Sequence, residues 1–173
     1  MQFAMMPLQG LTQGAQPIVS YNYGARNAQR VRAAFRCLLR ACVTYSLLLW
    51  ALVQLFPRMF ILMFNSSPEL VEYASWALRI YMAATGIFGV QIACQQTFVA
   101  LGNAKTSLFL AVLRKIILLI PLIYILPHFF ADKAFAVFLA EPVADVLAVL
   151  TTSTMFAFQF KRSMAELEKH PEL

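Results

Sequence analysis

The chain has 173 residues, of which 61% are hydrophobic and only 13% charged, with 15 Phe and a formal net charge of +6. A soluble domain carries about a quarter charged residues, and a chain this small cannot hide such an apolar excess in one core, so an ordinary soluble globular protein is excluded. The basic residues sit at the ends of apolar segments without zinc spacing or a basic–aromatic module, which argues against a nucleic-acid partner.

Lipid offers no partners to a free backbone, so apolar runs of about 20 residues read as membrane-spanning helices. The first candidate covers residues 3–23, interrupted by Gln9, Gln13, Gln16 and Ser20, with no signal-peptide pattern before it. A basic connector follows, carrying Arg26, Arg30, Arg32, Arg36 and Arg40. The second candidate spans about 38–57 and ends near Pro57. Asn65 or a following serine is then expected to cap the third helix, with Pro68 in its first turn. That helix covers about 72–100 and closes at Gly102-Asn103. The fourth covers 106–127, a short turn leads from Pro127 to Lys133, and the fifth runs over 134–160. Residues 161–173 form a charged tail. Cys37, Cys42 and Cys94 are odd in number and lack metal spacing, so they read as reduced packing residues. The expected fold is all-α: a polytopic transmembrane bundle of about five helices in a lipid bilayer.

Charge orients this bundle. The first connector, the Lys105 loop and Lys161-Arg162 are basic, whereas the intervening loops carry Glu69 and Glu72, or Asp132 against Lys133. The basic side, and with it the C-terminus, is expected to be cytoplasmic. Five helices ending inside would start outside, which suggests further sequence upstream of Met1.

Polar residues inside apolar helices carry the functional information. Gln9, Gln13, Gln16 and Ser20 share one face of the first helix; Tyr81, Thr85, Gln91 and Gln95 form a stripe on the third; Glu141, Asp145, Thr152 and Gln159 form one on the fifth. Interhelical hydrogen bonding accounts for any single glutamine. Three polar stripes together point to a shared aqueous cavity. Glu141 and Asp145 are the sharpest pair, because a carboxylate at membrane depth costs about 2.5–3.5 kcal/mol on insertion scales. Their i, i+4 spacing stacks two like charges, and Pro142 between them removes a backbone donor. Two readings stay open: the acids hold a proton or a cation, or Arg114 or Lys115 on the fourth helix neutralises them as a fixed ion pair. Arg114 and Lys115 can also snorkel to the interface. No metal site or catalytic motif accompanies them, and His128 and His170 lie in a loop and in the tail, so an enzyme is not expected. An intramembrane acid–base enzyme is the alternative of a different class.

Three segments carry a family resemblance. GLTQGAQPIVSYNYGARNAQRV (Gly10–Val31) resembles the end of the second helix in the C-terminal lobe of multidrug and toxic compound extrusion (MATE) transporters, closest to the bacterial branch. FVALGNAKTSLFLAVLRKIILLIPLIYILP (Phe98–Pro127) and AEPVADVLA (Ala140–Ala148) resemble later pieces of that lobe, in the same order and spacing. The resemblance implies a multi-pass transporter of two six-helix lobes in the cytoplasmic membrane of a bacterium. It exports small organic cations by antiport against Na+ or H+ and needs no cofactor beyond that ion. This chain would hold the last five helices, partnered by a missing N-terminal lobe. Glu141, Asp145, Gln91, Gln95, Gln16 and Tyr81 are then the candidates for the substrate or ion pathway, with Arg114 and Lys115 as charge partners. Some family members carry a coupling carboxylate in the helix matching 72–100; here that helix offers Gln91, Gln95 and Gln96 and no acid beyond Glu72 at its loop end. A related lipid-linked oligosaccharide flippase is the alternative within membranes, although its anionic substrate needs a strongly cationic cavity.

Overall fold

The computed structural model describes residues 2–63 and 67–169, and these are helical almost throughout. Helix α1 (Gln2–Gly24) contains Pro7 and Pro17. The chain turns at Arg26, whose φ of 53° is left-handed. Helix α2 (Ala28–Leu55) then starts at Asn27, whose side chain accepts a hydrogen bond from the Arg30 N–H at 3.0 Å. The basic stretch read as a connector is therefore mostly helix, because this cap starts α2 ten residues before the apolar run. A short α3 (Pro57–Leu62) follows. The expected cap at Asn65 lies outside the described residues, as does His170.

The expected single helix over 72–100 needs correction. It is two helices, α4 (Pro68–Tyr81) and α5 (Thr85–Ala100), bent by 45° at a short break. No proline causes the break. Instead α2 supplies hydrogen-bond donors to carbonyls along it, which lipid could not. Ser46 Oγ donates to Gly86 O at 2.9 Å, Trp50 Nε1 to Ala83 O at 2.9 Å and Gln54 Nε2 to Arg79 O at 2.9 Å. Ser46, Trp50 and Gln54 recur every four residues, so one face of α2 serves the whole break. Gly89 allows the close approach: a Cβ there would meet the Cys42 carbonyl and come within 2.6 Å of Ser46 Oγ.

Helix α6 (Ala104–Phe129) contains a π-helical segment, Leu113–Leu119, with Pro121 just beyond it. Proline has no N–H to give and its ring crowds the turn before it, and a wider turn relieves both problems. Helix α7 (Lys133–Lys169) starts where Asp132 Oδ1 accepts from the N–H groups of Ala134 and Phe135 at 2.9 and 3.1 Å. Its 37 residues reach roughly 55 Å at 1.5 Å per residue, well beyond a hydrocarbon core of about 30 Å. Residues 161–169, expected as a tail, continue this helix, and Glu168 pairs there with Arg32 of α2 at 2.6 Å.

Among the described residues, α2, α6 and α7 are each long and apolar enough to cross a membrane, and the bent α4–α5 pair makes a fourth. With α1, which is 23 residues long but too rich in glutamine to join that set, the described helices fall into the five expected segments. Helix α5 sits centrally against α1, α2 and α7, and Phe35, Phe98, Phe156 and Phe160 pack their rings together near its C-terminal end. Leu48, Leu52, Ile116, Leu150 and Phe158 point outward, as surface in contact with acyl chains does.

Candidate functional site

Four charged side chains converge between α6 and α7. Glu141 and Asp145 lie one turn apart on the buried face of α7, 6% and 2% exposed. Arg114 Nε donates to Asp145 Oδ1 at 2.5 Å, and Arg114 Nη2 donates to Glu141 Oε1 at 3.3 Å. Lys115 Nζ donates to the same Glu141 oxygen at 3.2 Å. The Arg114 guanidinium also lies 4.4 Å from the ring centroid of Phe88 on α5. Two cations face two anions, so the cluster is neutral as a whole, the condition under which charges persist at membrane depth; the two acids are buried and Lys115 is half-exposed.

Local structure explains why both bases reach one pair of acids. Successive side chains on an α-helix diverge by about 100°, which would send Arg114 and Lys115 to different faces. Both lie in the π segment, whose wider turn narrows that divergence. On α7, the four-residue spacing aligns the two acids.

The remaining candidates fall into separate groups. Tyr81, half-buried at the end of α4, lies within electrostatic reach of Glu141, Asp145 and Arg114. Gln91 is 1% exposed, and its Oε1 is buried without a hydrogen-bond partner among the described residues, as are Gln95 Nε2 and Thr152 Oγ1. Gln16 is half-buried on α1, which packs against α2 and α5, and it is not among the residues bonded to the cluster. On the same helix Gln9 and Gln13 are exposed, while Ser20 donates to the Ala100 carbonyl at 3.0 Å. Gln159 accepts from Asn103 Nδ2 at 2.8 Å, joining α7 to the turn before α6. Phe88 was not a sequence candidate, because a phenylalanine in an apolar helix carries no mark of the cation it will face.

The fold defines a polytopic bundle of apolar helices with a charge cluster between two of them. The MatE family model matches residues 1–125, so the chain belongs to the MATE family, whose members are transporters and not enzymes. The chain is 36% identical to the MATE multidrug transporter DinF-BH, covering 91% of this chain and 35% of that one with a TM-score of 0.83. An inward-facing multidrug resistance MATE transporter of the MOP superfamily shares the fold at 17% identity, covering 99% of this chain and 39% of its own, with a TM-score of 0.84. A curated relative, the FAD transporter of Shewanella oneidensis, is 22% identical over 143 residues, which is 83% of this chain and 31% of that protein. The chain thus spans about a third of the length of these relatives.

Proposed function

We propose that this chain forms part of the C-terminal lobe of an exporter of small organic cations, coupled to entry of Na+ or H+. The lobe rocks against an N-terminal lobe about a midplane cavity, in the manner of alternating access. The observation that carries the reading is the pair of acids Glu141 and Asp145, buried on one face of the otherwise apolar α7, with one of their basic partners, Lys115, left half-exposed. Intramembrane acids of this kind exchange one positive partner for another, which is the elementary act of antiport. The multidrug transporter at 36% identity supports the substrate class. The basic α1–α2 turn, the Lys105 loop and the end of α7 would face the cytoplasm of a bacterial cell.

The test is efflux of a fluorescent organic cation from cells expressing the full protein at matched abundance. Glu141→Gln keeps the shape of the side chain and removes its charge, so efflux should fall or change its dependence on pH or Na+. Wild-type efflux with unaltered ion dependence would refute the assignment. The likeness to an FAD transporter favours a second reading, in which a flavin nucleotide is the cargo. Flavin release from the same cells, absent in a deletion strain, distinguishes the two.

A further inference from the structure

The two bases of the cluster are held unequally. Arg114 is bonded to both acids, stacks on Phe88, and its side chain is only 12% exposed. Among the described residues Lys115 has one bond, to Glu141 Oε1 at 3.2 Å, and its side chain is 54% exposed. A guanidinium in a planar, stacked, two-acid setting is hard to withdraw, whereas an ammonium is a compact, strongly hydrated charge on a flexible stem. Lys115 can swing outward along its own exposed flank while Arg114 stays in place.

We infer that Lys115 is a tethered stand-in for the transported cation: a monovalent organic cation binds at the Glu141 carboxylate by displacing the Lys115 ammonium. This rests on the organic-cation reading above and names the side chain at which that class is recognised. Charge balance sets the stoichiometry. Lys115 leaving alone would strand a buried negative charge, and a cation arriving alone would add a buried positive one; both are strongly disfavoured. One positive charge therefore replaces another, and monovalent cations are preferred over divalent ones. The π segment serves this exchange by holding the fixed base and the exchangeable base side by side.

The test measures binding of ethidium, a monovalent organic cation, to the full protein in detergent by fluorescence polarisation. Lys115→Gln removes the internal competitor. If Lys115 occupies Glu141 about nine-tenths of the time, ethidium binding should tighten about tenfold. Adding Glu141→Gln should cancel that gain. Equal or weaker binding by Lys115→Gln overturns the inference. A second measurement needs no substitution: acetylation of the Lys115 amine by a water-soluble N-hydroxysuccinimide ester, followed by mass spectrometry. Saturating ethidium should accelerate that modification severalfold, because the displaced amine loses its carboxylate partner. An unchanged or slower rate overturns the inference, even where the variant fails to fold. Wild-type binding without these Lys115 effects removes this inference alone. If neither wild type nor variant binds ethidium, the organic-cation reading falls and takes the inference with it.

Discussion

Glu141 and Asp145 are the same kind of group one turn apart, yet their partners assign them different duties. Asp145 faces Arg114, whose side chain is only 12% exposed and is bonded to both acids. Removing one side of such a pair leaves an uncompensated charge at a cost of about 3–5 kcal/mol. Asp145→Asn should therefore lower membrane abundance and the unfolding temperature of the purified protein. Changing Arg114 to Met as well should restore much of both, since an uncharged pair leaves nothing stranded. Glu141→Gln should behave differently, because the half-exposed Lys115 can turn outward when its partner is lost. Abundance should stay near wild type while transport falls. Equal loss of abundance in the two single variants would contradict this division of roles.

At the scale of helices, the contact between α2 and the broken α4–α5 pair bears the most weight. The break frees backbone carbonyls, and α2 answers with Ser46, Trp50 and Gln54. Trp50→Phe keeps an aromatic ring and deletes one donor, so it should destabilise the protein by about 1 kcal/mol, the usual worth of such a bond in membranes. Gly89→Ala should cost more, about 1–3 kcal/mol, because the new methyl group meets the backbone of α2. Pairing it with Ser46→Ala should give little rescue, since the Cys42 carbonyl remains in the way. Thermal unfolding in detergent measures all three. Full rescue by Ser46→Ala would show that the side chain, and not the backbone, sets the helix spacing.

For the whole molecule, the charges at helix ends make a prediction about sidedness. A single cysteine placed at Asn27 or Asn103, in a protein stripped of its native cysteines, should react with a membrane-impermeant maleimide only after the membrane is opened. One placed at Glu69 should react in intact cells. The opposite pattern would reverse the orientation. Rocking transport also needs a second wall to the cavity, and these residues span about a third of the matched transporters. Residues 1–173 expressed alone should leave the drug resistance of a pump-deficient host unchanged. A clear rise in resistance would mean that copies of this chain supply the second wall themselves.

The all-helical membrane fold was legible in the residues because hydropathy is summed along the chain, and lipid permits only helices to such runs. Glu141 and Asp145 were legible for the same reason: an acid in an apolar helix stands out without knowledge of its neighbours. The MATE likeness rested on local words such as the stretch Gly10–Val31, which also need no third dimension. What surrounds the acids was not legible. Arg114 and Lys115 were known as possible partners, but which base meets which acid depends on the π register of α6 and on its packing against α7. Phe88 enters only through the crossing of α5. The break at 82–84 was hidden because its stabilising donors lie some 25 to 40 residues away on α2. Composition and spacing report what each segment costs in lipid; only the packed bundle decides which buried group satisfies which.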